Sequence, residues 1–157
     1  MELINSLQFK IVSRGEVMLK NLAFPAKREL LPQMLTKIND EIKSHVTDDK
    51  LINRLKVCAE EILVNIVDYA YTDKDADNKL FISCEYLKDK NALRFEFVDE
   101  GTPYNPLEQA PEVDINAEID ERGIGGLGIF MVKNSMDNVS YEYKDGKNIL
   151  TIKKNLN

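Results

Sequence analysis

The chain has 157 residues, 43% of them hydrophobic and 31% charged, with a formal net charge of −6. That is enough for one domain with its own core, and the negative charge argues against nucleic acid or an anionic membrane as a main partner. No apolar run approaches the roughly 18 residues of a membrane span and no secretory leader is visible, so a cytoplasmic protein is expected.

Residues 1–14 read equally well as a short strand or a helical arm. Residues 18–24 predict a strand that Pro25 ends. Over 28–45, Leu30, Leu31, Met34, Leu35, Ile38 and Ile42 recur at helical spacing. Pro32 is tolerated only in the first turn, so the regular helix is expected to begin close to it. A second helix is predicted over 48–71, where Leu51, Leu55, Cys58, Ile62, Ile66 and Tyr69 form one stripe. Tyr69 is therefore expected in the core. Residues 79–87 and 92–98 predict strands joined by a short Asp-Lys-Asn turn. Residues 99–124 are irregular and acidic, and a stretch that long inside a compact domain is usually functional or mobile. A helix over 126–136 follows. Strands over 139–143 and 148–153 then flank Asp145-Gly146, a two-residue hairpin signal. Hairpin-linked strands with helices grouped apart predict an α+β fold in a single domain, 1–157. It is a two-layer sandwich with the helices on one face of a mixed, mainly antiparallel sheet.

Cys58 and Cys84 are isolated within apolar patterns and read as reduced core thiols. His45 has no cysteine or histidine near it, so no zinc site is expected, and it reads as a solvated residue near a helix end.

Three stretches carry chemistry. On the second helix Glu61 and Asn65 are i,i+4 neighbours with Asp68 one turn further, a strip along one edge of the apolar stripe. Glu60 projects away from it and should be solvated. An acid and an amide so placed are also the ordinary polar flank of an amphipathic helix. On the strand over 92–98, Leu93, Phe95 and Phe97 share a face, and Asp99 has their parity. If the strand runs that far, its carboxylate points toward the core and needs donors, and a purine amine is a natural one. Otherwise Asp99 is a turn residue. The run Gly123-Ile-Gly-Gly-Leu-Gly128 opens into a helix, where free N–H groups hold phosphate without many basic side chains. Alone, such a run is more often a plain loop.

In this order the three stretches resemble the Bergerat-fold ATPases, the histidine kinase-like superfamily that includes DNA gyrase, the heat-shock chaperones, histidine kinases and MutL. Glu61-Ile-Leu-Val-Asn65-Ile-Val-Asp-Tyr-Ala-Tyr71 resembles their acid-and-asparagine helix. Asp99-Glu-Gly101-Thr-Pro103-Tyr-Asn-Pro106 resembles their adenine-binding segment, and Arg122-Gly-Ile-Gly125-Gly126-Leu-Gly128 their phosphate-binding lid. The short lid and the wording of the second segment are most similar to the anti-sigma-factor serine/threonine kinases of bacteria.

The resemblance implies an ATP- and Mg²⁺-dependent kinase with assigned roles. Asn65 would hold Mg²⁺ among the phosphates, with Asp68 on the same strip, and Glu61 would be the general base. Asp99 would accept from the adenine amine and Gly101 permit its close approach. Gly125, Gly126, Leu127 and Gly128 would wrap the phosphates. Arg122 would reach the γ-phosphate, although Gly123 and Ile124 lengthen its path, and it could equally pair with Glu118 or Glu121. The chain departs from the family in having Tyr69-Ala70-Tyr71 where His-Ala-Tyr is common. The implied partners are a sigma factor and its small antagonist protein, and relatives pair as homodimers through the first strand and helix. Two other readings stand beside this one: a detached histidine-kinase catalytic domain, and a nucleotide-responsive binding module without turnover.

Overall fold

The computed structural model describes residues 10–12, 16–109 and 127–157. Its elements follow the order expected from the sequence, with a short helix added inside the stretch expected to be irregular. Strand β1 is Lys10–Val12 and β2 is Glu16–Pro25, an antiparallel pair that resolves the ambiguity at residues 10–12 in favour of strand. Helix α1 is Leu31–His45, entered through a 3₁₀ turn at Arg28–Leu30 and with a proline in its first turn. Helix α2 is Asp49–Asn65. Its cap, Asp48, accepts from the Lys50 and Leu51 N–H groups at 2.8 and 3.1 Å, satisfying two donors that every helix start leaves free.

Strands β3 (Lys79–Leu87) and β4 (Ala92–Asp99) form a hairpin, and Asn91 takes the left-handed conformation the turn requires. A short helix α3, Pro106–Gln109, precedes α4 at Leu127–Ser135. Strands β5 (Asn138–Lys144) and β6 (Lys147–Asn155) close the chain around Asp145-Gly146. Both turn residues have positive φ, 53° and 76°, as a twisted two-residue hairpin turn demands.

The strands lie in the order β1-β2-β3-β4-β6-β5, and every described pairing is antiparallel. Between Leu19 and Leu22 the β2 strand carries one residue more than β3 opposite it, a bulge at which Asn21 has φ 50°. Alternation assigns the two faces. Leu80, Ile82 and Cys84 of β3, Phe95 and Phe97 of β4, and Leu150 and Ile152 of β6 are buried. They pack with Met34, Ile38 and Ile42 of α1, Leu55, Cys58 and Ile62 of α2, and Val132 of α4. The opposite face carries Arg94, which pairs with Glu85 and Glu96 at 3.2 and 3.3 Å. The result is a two-layer α+β sandwich. No described helix is long and apolar enough to cross a membrane.

Three local expectations are corrected. The second helix does not continue regularly to residue 71, because Ile66–Ala70 forms a π-helical turn. Its i→i+5 spacing changes the phase of the helix. Ile66 and Val67 therefore go inward while Tyr69, expected in the core, is 76% exposed. His45 is not solvated: its side chain is 18% exposed, stacks on Tyr86 at 4.4 Å and lies 3.4 Å from Glu41 Oε1. Only its place at a helix end matches the expectation. The strip of Glu61, Asn65 and Asp68 is broken after Asn65 by the same π-turn. Cys58 and Cys84 are free and buried, and burial raises both thiols above their ordinary range.

Candidate functional site

The π-turn and the end of β4 meet at one edge of the sandwich. Carbonyls of the turn are taken up by the loop that follows it and by the loop that follows β4. Lys74 Nζ donates to Val67 O and Asp68 O at 2.9 and 2.8 Å, and Thr102 N donates to Ala70 O at 3.1 Å. The last contact draws residues 101–104 against the helix end. Gly101 makes it possible, because a Cβ there would lie 2.1 Å from Ala70 O. Tyr71 buttresses the same corner: its hydroxyl donates to Lys79 O and accepts from Glu100 N at 2.7 Å.

Between these elements lies a cavity of about 620 Å³, a volume ordinary for small-molecule sites. Ile62, Ile66, Phe97, Ile129 and Leu150 give it apolar walls, and Asn65, Asp99 and Asn148 bring polar groups to it. The strand does run to Asp99, whose side chain is buried as the parity argument required. Asp99 Oδ1 accepts from Asn148 Nδ2 at 2.8 Å and from Gly101 N at 2.9 Å. Burial pushes the Asp99 carboxyl up from its ordinary range, and these two donors pull it back in part.

Asn65 lines the cavity. Glu61, one turn earlier, is not part of the lining and lies instead against the first turn of α4, where a Cβ on Gly128 would come within 2.2 Å of Glu61 Oε2. Glycine at 128 thus makes room for the carboxylate. Glu60 is exposed, as expected. Leu127 opens α4 and is 49% exposed. Asp68 is turned away from the cavity and holds Arg28, whose Nε donates to Asp68 Oδ1 at 2.8 Å. Arg122, Gly125 and Gly126 lie outside the described residues, as do the extra Gly123 and Ile124.

Sequence reasoning passed over Asn148 and Tyr141. Asn148 is buried, and its amide joins Asp99, Thr102, Tyr104 and Tyr141. The signal was available: Asn148 shares parity with Leu150 and Ile152 on the inward face of β6, and a polar group there needs partners.

A family model described as the histidine kinase-like ATPase domain matches residues 24–154. The chain belongs to that family. Among relatives of the histidine kinase-like ATPase, it is 28% identical over 105 residues to the serine-protein kinase RsbW of Listeria monocytogenes serotype 4a (strain HCC23), an alignment covering 65% of each chain. It is 30% identical over 98 residues to the serine/threonine-protein kinase BtrW of Bordetella bronchiseptica, covering 62% of this chain and 66% of that one. The chain thus spans just under two thirds of the length of these relatives. Its fold is similar to the crystal structure of the RsbU and RsbW domains of Rv1364c from Mycobacterium tuberculosis. The TM-score is 0.60 at 12% identity, over 86% of this chain and 32% of that one.

Proposed function

We propose that this histidine kinase-like ATPase binds ATP in the cavity beside Asp99 and transfers its γ-phosphate to a serine or threonine of a small antagonist protein, acting as an anti-sigma factor. The observation that carries the reading is Asp99. It is a buried carboxylate at the end of β4, held by two N–H donors on Oδ1 and lining a cavity with Asn65 of α2. The volume and apolar walls suit a purine, and a carboxylate oxygen suits its exocyclic amine. Relatives named serine and serine/threonine kinases support the transfer step.

The residues divide the work. Asp99 orients the base. The Asn65 side-chain oxygen is a suitable ligand for Mg²⁺, a hard cation that takes oxygen donors and keeps several waters. Bound Mg²⁺ would neutralise charge on the phosphates. Glu61 takes the proton from the substrate hydroxyl as its oxygen attacks the γ-phosphate and the bond to the β,γ-bridging oxygen breaks. The glycines at 125, 126 and 128 and Arg122 complete the phosphate side in this proposal. Asp68, paired with Arg28, is left out of it. The sigma factor as second partner and a homodimer through the first strand and helix belong to the same reading.

Single-turnover transfer from labelled ATP to a candidate antagonist tests it. Phosphoserine or phosphothreonine on the partner is the expected product. Phosphohistidine would favour a detached histidine-kinase domain, for which His45, stacked on Tyr86, is a poor acceptor. Nucleotide binding without transfer would leave a partner-binding module.

A further inference from the structure

On β6 the inward positions are filled by Leu150 and Ile152, and the next inward position toward the hairpin is Asn148. Its side-chain amide spends its whole capacity on the protein. The nitrogen donates to Asp99 Oδ1 at 2.8 Å and to Thr102 O at 3.0 Å, and the oxygen accepts from the Tyr141 hydroxyl at 2.6 Å and Tyr104 N at 3.1 Å. Two donors and two lone pairs are thereby all used, so nothing remains for a ligand.

We propose that Asn148 is a positioning residue that sets which nucleobase the cavity accepts, by pinning Asp99 so that one carboxylate oxygen, Oδ2, is presented to the base. The inference rests on the nucleotide reading of the same cavity. Oδ1 is occupied by Asn148 Nδ2 and Gly101 N, whereas Oδ2 receives no hydrogen bond from a described residue. A fixed lone acceptor favours a base edge that donates at this point, as the adenine amine does. It disfavours one that presents an oxygen there, as guanine does.

The amide cannot flip without facing its oxygen to Asp99 and the Thr102 carbonyl, and its nitrogen to the Tyr104 N–H. Tyr141 and Tyr104 N therefore act on base choice through Asn148. The same amide ties residues 102–104, one wall of the cavity, to the carboxylate they flank.

The test is a titration of the full chain with ATP and with GTP, read as the ratio of the two dissociation constants, with thermal melts to confirm folding. The parent chain is expected to prefer ATP. Asn148→Leu removes all four hydrogen bonds at similar volume and should lower that preference by about tenfold or more. Tyr141→Phe removes only the hydroxyl that fixes the amide and should lower it by about two- to fivefold. If Asn148→Leu does not fold, Tyr141→Phe decides. A folded variant that loses affinity for both nucleotides equally, or keeps the parental ratio, overturns the inference, because a merely structural role would not distinguish the bases. A parent chain that binds neither nucleotide takes down the proposed function and this inference with it. A parent that prefers ATP beside variants that keep the preference removes only this inference.

Discussion

Asp99 and Glu41 are two carboxylates drawn out of water toward opposite ends of the β3–β4 hairpin. Asp99 stands opposite Leu80, whereas Tyr86, on which the His45 partner of Glu41 is stacked, stands opposite Leu93. The step from Leu93 to Asp99 along β4 is roughly 20 Å at the rise of an extended strand. Burial raises both carboxyls above their ordinary range. Their surroundings differ. Asp99 is held by two neutral N–H donors on one oxygen and lines a cavity, whereas Glu41 faces an imidazole wedged against an aromatic ring. Burial of an acid therefore does not by itself mark a site. What sets Asp99 apart is the cavity that it lines, since Glu41 Oε1 is likewise without a hydrogen-bond partner among the described residues.

The strongest way to break this contrast is at Glu61, on the Asp99 side. Glu61→Gln should lower phosphate transfer by about 10²- to 10⁴-fold and leave ATP affinity unchanged in a single-turnover assay. Parental transfer would remove the general base from the account. At Asp99 itself, asparagine keeps an oxygen for Asn148 and Gly101 but turns the other group into a donor facing the base. Asp99→Asn should weaken ATP binding by about 10- to 100-fold by calorimetry.

Acid titration sharpens the same point. The Asp99 pKa is raised in the folded chain, so its share of fold stability is present below the unfolded value of 3.8 and is lost as pH rises through the folded value. Binding runs the other way, because the ionised form is the acceptor. ATP affinity should fall as pH is lowered through the raised value, and Asp99→Asn should abolish that dependence.

Two smaller effects concern packing. Gly101→Ala brings a Cβ against the Ala70 carbonyl and should cost about 1–3 kcal/mol in denaturant melts. Glu41→Gln should shift stability by about 1 kcal/mol or less, since a relieved burial cost offsets the lost His45 contact, and leave ATP binding as it was. Weakened binding in Glu41→Gln would show that the two ends of the sheet are not independent.

Strand 79–87 and the Asp145-Gly146 turn were legible residue for residue, because alternation and turn conformation act over neighbours. The first-turn Pro32 marked a helix start for the same reason, whereas the Asp48 cap emerged only from the structure. Tyr69 was misplaced because a helical wheel assumes one phase, and the π-turn changes it. His45 was misplaced because its partner Tyr86 belongs to a strand that the helix meets only on folding. Of the candidate site, spacing put Asn65 at the rim of the buried face, parity allowed Asp99 to point inward, and the resemblance joined them; both line one cavity, whereas Asn148 was passed over.

By itself the sequence determined the order and kind of the elements, and the three stretches by which the chain resembles its family. Those signals reside in hydrogen-bond and side-chain periods of two to four residues. Only the tertiary structure decided that Asn148 meets Asp99 across 49 residues, that Arg28 takes Asp68 across 40, and that glycine at 128 yields its space to Glu61. Such partners are chosen by which faces pack together, and no local preference encodes that choice.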